Sequence, residues 1–425
     1  MRPDPGPVAK RRRPFHPVVY AVMNVPFGAA SGFSSVTLAF LATRHGLTVQ
    51  QGAGLVATSL VPQIWKFFWA PIADTTLTRR KWYLIATVGI ATGTLAMCVV
   101  PLQAATYWLM QVIVFATSFA STFAGFAAEG FIAHLTPPED RGRVSGWYQA
   151  GNLGGTGLGG GLGLWLMNTL PAGWETGMVL SVALLACGLS LAFLPDVPAE
   201  SRGYSLAGAM RNLGRDIWQA VWSRQGFLCA LLCSVPVGTG AASSVLAQAE
   251  VAAHWGAGAR EVELVQGLFN GLVSIVGCVL GGYGCNRWGP RQAYVIYGFI
   301  MAAIALAMAA LPAVVPVYVA GGLAYAFATG LSYAAFTGFV LDAIGAGNAA
   351  TKYNAFAALS NTPIWYMSLA LAWAHSRFGP TNMLVGEAAC EAGGAVLFLA
   401  VAALTAPRAR PVADPVLAAE GNGGG

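Results

Sequence analysis

Glu129, in the string Ala127-Ala128-Glu129-Gly130-Phe131, is a carboxylate set inside an apolar run. It lies about six residues, or roughly 9 Å of helix rise, from the end of that run. An acid held so deep either binds a proton or a solute in a wet cavity, or pairs with a buried cation. Lys66 sits at about the same depth from the same face of its own run. It could pair with Glu129, bind the anionic group of a solute, or extend its long stem to the polar headgroups.

Six amides, Asn24, Gln63, Asn152, Gln266, Asn270 and Asn361, also fall in apolar stretches. There an amide must hydrogen-bond to another helix or line a wet path. Trp65, Trp147, Trp365 and Tyr366 offer ring faces for a sugar or nucleotide, or serve interfacial and core packing. Glu387 and Glu391, one turn apart near the start of the last run, are expected to be structural. The seven cysteines carry no C-x-x-C pair and read as small packing residues. The histidines are scattered, and no HExxH, GxSxG or GxxxxGK[ST] string occurs. No cofactor, metal or catalytic residue is expected. An integral membrane transferase would need clustered acids or histidines at one membrane face, and a channel would need charge rings or a filter-like loop. The sequence displays neither.

The elements that must position these side chains follow from composition. Of 425 residues, 56% are hydrophobic and 9% are charged, so water is not the main solvent. A spanning helix needs about 20 apolar residues, and backbone in lipid must satisfy its own hydrogen bonds. The fold class is therefore all-α and integral to a membrane. Apolar runs fall at 16–41, 50–71, 82–101, 107–134, 144–168 and 175–194, then at 226–248, 262–284, 292–311, 315–341, 353–374 and 384–405. This divides the chain into a tail (1–15), a six-helix bundle (16–194), a polar linker (195–225), a second bundle (226–405) and a Pro-, Ala- and Gly-rich tail (406–425) expected to be disordered.

With the N-terminus cytoplasmic, that side holds Lys10 to Arg13, Arg79, Arg80, Lys81, Arg141, Arg143, the linker arginines, Arg287, Arg291, Lys352, Arg408 and Arg410. The other side holds Arg44, Arg260 and Arg377. This satisfies the positive-inside rule, places both termini in the cytoplasm, and explains the net charge of +6 without nucleic acid.

The halves repeat. Pro26 and Gly28 recur as Pro236 and Gly238, an interval of 210. Asp74 recurs as Asn286 at 212, and Arg143 to Asn152 recurs as Lys352 to Asn361 at 209. Parallel six-helix repeats of this kind place a site near the bilayer midplane between two rocking bundles. Asn152 and Asn361 occupy equivalent positions. In the fifth run, glycines at 151, 155, 159 and 163 lie on one face and admit a close helix neighbour.

Gly282-Tyr283-Gly284-Cys285-Asn286-Arg287-Trp288-Gly289-Pro290-Arg291 resembles the G-x-x-x-D-R-x-G-x-R loop of the major facilitator superfamily, with Asn286 where Asp is usual. The first-half copy keeps Asp74 and the basic cluster Arg79-Arg80-Lys81 but lacks the glycines. The resemblance implies a cytoplasmic gate built from Asp74, Arg79, Arg80, Asn286, Arg287 and Arg291, in which acids cap helix N-termini and cations bond C-terminal carbonyls. Three short strings, Lys66 to Pro71, Leu135 to Arg143 and Ala350 to Ala355, resemble the branch of AmpG-type muropeptide permeases, acetyl-CoA transporters and siderophore importers. That branch often has two acids one turn apart in its fourth helix; here Glu129 matches the second and Gly125 stands at the first. The resemblance implies a monomeric, proton-coupled carrier of a polar organic solute in a bacterial inner membrane. Glu129, Lys66, Asn152, Asn361, Gln63, Asn24, Asn270 and Trp365 are its candidate coupling or solute-binding residues.

Overall fold

The computed structural model describes residues 16–135, 141–195, 222–344 and 349–405, with Gly208, Arg211, Gly214, Arg215 and Trp218 of the linker. The two tails, the Thr136 to Asp140 part of the branch-like string and most of the linker lie outside the described residues. Every apolar run forms helix. The first half comprises α1 (Val18–Arg44), α2 (Val49–Trp65, continuing through Lys66–Phe68 into Ala70–Thr75), α3 (Arg79–Val99), α4 (Tyr107–Leu135), α5 (Arg141–Gly157, Leu158–Leu162 and Gly163–Thr169) and α6 (Gly173–Phe193). The second comprises α7 (Arg224–Ser234 and Ala241–Leu246), α8 (Ala259–Val262, Glu263–Leu268 and Phe269–Trp288), α9 (Pro290–Ala310), α10 (Val315–Ile344), and α11 and α12, which share Ala349–Leu404 and separate at Gly379.

Local chemistry sets the boundaries. Thr48 and Gln51 form a reciprocal capping box at the start of α2, and Ser223 caps α7 by accepting from the Gly226 N–H at 3.0 Å. Gly379 takes φ +80°, a left-handed conformation that ends α11, and Pro380 then opens α12. Eight helices among the described residues are long and apolar enough to cross a membrane, the last being the α11–α12 pair. The spans outside that set are α2, α5 and α7, which are interrupted or rich in glycine.

The glycine face of α5 acts as expected. A Cβ at Gly151, Gly155 or Gly159 would collide with the α1 backbone at Ala21, Val25 or Ala29. The repeat is visible in hydrogen bonding as well. Tyr83 of α3 donates its hydroxyl to the Met23 carbonyl of α1 at 3.0 Å, and Tyr294 of α9 donates to the Val237 carbonyl beside α7 at 2.8 Å.

Three buried cores show how the halves meet. One draws on both halves, from Leu47 and Val49 of the first to Val251, Trp255 and Met383 of the second. The others belong to one half each, around Tyr83 and Phe131 or around Tyr294 and Phe339. The shared core lies at the end remote from the start of α1, here the far end. Gln50 bonds to Ser376 (3.0 Å), and Asn168 bonds to Glu263 (2.8 Å), across the halves there. Wide π turns of α1 (Phe33–Leu38), α5 (Leu158–Leu162) and α8 (Glu263–Leu268) also meet in this region. The protein is thus closed at the far end, with separate cores toward the near end, where α1 begins and α12 ends.

Candidate functional site

A recess with a cavity volume of about 30 Å³ opens among α1, α2, α4 and α5, lined by Phe27, Gln63, Lys66, Thr122, Gly125, Phe126, Glu129 and Tyr148. It brings together three candidates from the sequence: Glu129, Lys66 and Gln63. On α4, Thr122, Gly125, Phe126 and Glu129 follow helical spacing and share one face. A Cβ at Gly125 would have nothing closer than Phe27 and Tyr148 at 3.9 Å, so the missing side chain is part of the empty space.

Lys66 lies three residues after Gln63 and so shares its face of α2, at the point where α2 leaves α-helical geometry. Its last α-helical residue is Trp65, Lys66–Phe68 forms a 3₁₀ turn, and helix resumes at Ala70 with Pro71 at its start. Proline has no N–H to give to the preceding turn and restricts the residue before it, so the chain changes course there. The seam between α2 and α4 is polar. Gln63 Nε2 donates to Ser121 Oγ (3.0 Å) and Ser118 Oγ (3.5 Å), Ser118 Oγ donates to the Ser59 carbonyl, and Trp69 Nε1 donates to Thr122 Oγ1 (2.9 Å). These bonds fix the recess wall in a medium that offers no competing water.

A third charge approaches from α3. The Arg79 guanidinium packs over Gly130, where a Cβ would collide with it, placing a cation beside the residue that follows Glu129. Arg79 is 9% exposed. The sequence places Arg79 in a loop gate; it belongs instead to the first turn of α3 and lies against α4. Arg80 donates to the Leu194 carbonyl at the end of α6, the cation-to-carbonyl contact expected, made within one half. Arg287 is exposed and Arg291 half-buried. Asp74 and Asn286 lie on helical backbone at the ends of α2 and α8, with side chains outside the described set.

The remaining candidates do not line the recess. Asn24 is buried and donates to the Tyr148 carbonyl at 2.9 Å, tying α1 to α5 behind the wall. Asn152 donates to Gln149 (3.3 Å), Asn361 to the Ala357 carbonyl of its own helix (3.2 Å), and Asn270 accepts from Ser274 (3.4 Å). Trp365 is half-buried on α11. Trp65 and Trp147 are exposed, and Tyr366 donates to the Ser234 carbonyl (3.0 Å). Phe27, Thr122, Phe126 and Tyr148 were not singled out by sequence. Stepping back from Glu129 by one and two helical turns would have found the α4 pair; Phe27 and Tyr148 carry no such signal. Among the described residues, no three His, Cys, Asp or Glu side chains gather to hold a metal ion.

The family described as Major Facilitator Superfamily matches residues 20–367. No curated protein matches the chain. Among solved structures, a D-xylose-proton symporter is 16% identical with a TM-score of 0.70, covering 90% of this chain and 96% of its own. The xylose transporter XylE from E. coli in an inward open conformation gives 14% and 0.65, over 90% and 95%. Its partially occluded inward open form gives 14% and 0.66, over 92% and 96%. These likenesses concern the fold. With two six-helix bundles, a family match across most of the chain and a charged recess facing the seam between its helices, the protein is a multi-pass membrane transporter and not an enzyme: the chain belongs to the Major Facilitator Superfamily.

Proposed function

We propose that the protein carries a polar organic solute together with a proton by alternating access, with Glu129 as the proton-binding group and Lys66 as the anchor for an anionic group of the solute. The observation that carries this reading is that the cation and the acid line one recess, beside an amide, two hydroxyl groups and two phenylalanine faces. An intramembrane carboxylate at a cavity can exchange charge with solvent, whereas one sealed in a core cannot. The likeness in fold to a D-xylose-proton symporter supports the same reading.

The near end is the cytoplasmic end in this reading, because Arg79, Arg80, Arg287 and Arg291 lie there and the positive-inside rule places them so. The conformation is then inward-facing, with both termini in the cytoplasm, a bacterial inner membrane as its setting and a monomer as the working unit. With a cavity volume of about 30 Å³, the recess is far below the usual range for a drug-sized ligand. It suits one small charged group of a larger solute whose remainder lies between the halves. The strings that resemble the AmpG-type branch favour an anhydromuropeptide, with CoA esters and siderophores as the other candidates.

Binding to the purified protein, followed by thermal stabilisation with an anhydromuropeptide, a CoA ester, a ferric siderophore and D-xylose, tests the solute class. Stabilisation by the anhydromuropeptide that disappears in Lys66→Gln supports the reading. Stabilisation by D-xylose alone, unaffected by Lys66→Gln, overturns it.

A further inference from the structure

α7 is broken inside its span. Between Ser234 and Ala241 the sequence Val235-Pro236-Val237-Gly238-Thr239-Gly240 leaves the helix, with Gly238 at φ +65° and Gly240 at φ +62°. Proline supplies no N–H, and both glycines take left-handed backbone that other residues resist. A break at membrane depth strands backbone groups that lipid cannot satisfy.

Side chains from three other helices take up those groups, and a fourth helix braces one of them. From α12, Glu391 Oε2 accepts from the Gly238 N–H at 2.6 Å, and its Oε1 accepts from the Thr239 N–H at 3.1 Å and the Thr239 hydroxyl at 3.0 Å. One turn earlier, Glu387 Oε1 accepts from the Ala242 N–H at 3.2 Å, while Oε2 accepts from the Tyr325 hydroxyl of α10 at 2.7 Å. Tyr294 of α9 and Tyr366 of α11 donate to the Val237 and Ser234 carbonyls. Glu387 is 1% exposed and Glu391 0%. Every carboxylate oxygen of the pair faces a donor, so both acids stand in for the helical acceptors that the break removed.

The piece beyond the break, Ala241–Leu246, belongs to the core shared by the halves and packs against α2. Just after it, Gln248 lies over Gly52 of α2, fully buried, with neither end of its amide hydrogen-bonded. An amide that has no partner while the halves are closed regains water when they part, so this contact favours reopening. α1, the counterpart of α7, has no such break and passes through its π turn as continuous helix.

We propose that Glu387 and Glu391 are positioning residues of the far-end gate. Together they hold Ala241–Leu246 in the closed position against α2, and loosening their hold on the Gly238–Ala242 backbone lets that piece leave α2 and open the far end.

The test uses the full chain, free of native cysteines, in lipid nanodiscs, with spin labels at Gln50→Cys and Ser376→Cys across the far end. A second pair at Trp108→Cys and Trp174→Cys reports within the first half. In Glu387→Gln/Glu391→Gln the open-to-closed ratio across the far end rises about tenfold, the size set by losing one charge-assisted bond, while the first-half distance stays. If the double variant does not fold, Thr239→Val removes one donor to Glu391 and gives a smaller shift in the same direction. A far-end distance unchanged in folded variants, or both pairs broadening together as in general loosening, overturns the proposal. The measurement needs no solute, so it stands or falls apart from the assignment of Lys66 and Glu129.

Discussion

Lys66 and Glu129 face one recess although they reach it by different means, the lysine from a 3₁₀ turn of α2 and the acid from the unbroken α4. Lys66 follows Gln63 by three residues, so both fall on the face of α2 that lines the recess, while Trp65 and Phe68 are exposed. Opposite charges at one cavity give a carrier separate handles for a proton and a solute.

Lys66→Gln keeps the length and polarity of the side chain while removing its charge. Affinity for an anionic solute falls about 10- to 100-fold, the range of a lost charge-assisted hydrogen bond, and a neutral analogue of the same solute is unaffected. Equilibrium binding of the two ligands to the purified variant checks this.

Gly125 provides empty space rather than a contact. Gly125→Ala leaves transport near the native level, because its Cβ would meet its neighbours at 3.9 Å, an ordinary contact distance. Gly125→Leu fills the recess and abolishes solute binding in a protein that still folds, which a thermal unfolding curve beside the binding assay distinguishes.

At the far end the two halves touch backbone to backbone. A Cβ at Gly267 of α8 would collide with Gly161 of α5. Gly267→Val therefore prevents closure, lengthens the distance between labels at Gln50 and Ser376, and stops turnover while each half keeps its own core.

The repeat-related tyrosines offer a stability test. Tyr294→Phe leaves the Val237 carbonyl in the α7 break without its tyrosine donor and costs about 1–3 kcal/mol, whereas Tyr83→Phe removes an additional donor from a carbonyl of the continuous α1 and costs about 0.5–1.5 kcal/mol. The larger loss in detergent-solubilised protein is expected from Tyr294→Phe, measured by thermal or chemical unfolding.

Much of the architecture was legible because lipid imposes it: apolar length fixes the spans, and the spacing of Pro26 and Gly28 against Pro236 and Gly238 discloses the repeat. Depth arithmetic on Glu129 and Lys66 also placed both at one level, and they do share a site. What the sequence could not convey were tertiary partners. Asn24 and Asn361 look alike as buried amides, yet one ties α1 to α5 and the other bonds back to its own helix. Arg79 reads as a loop cation until α3 starts at that residue and turns it toward Gly130. Glu387 and Glu391 read as structural, and what they hold became visible only with the break in α7.

The central claim is that Glu129 couples solute movement to a proton. Uptake of a labelled anhydromuropeptide into proteoliposomes, with and without an inward-directed proton gradient, tests it most directly in native protein and Glu129→Gln. The account predicts that the gradient drives accumulation in the native protein. It predicts that Glu129→Gln loses that drive by about tenfold or more, the usual scale of a coupling free energy, while still exchanging solute across the membrane. Gradient-driven accumulation that persists undiminished in Glu129→Gln would contradict it.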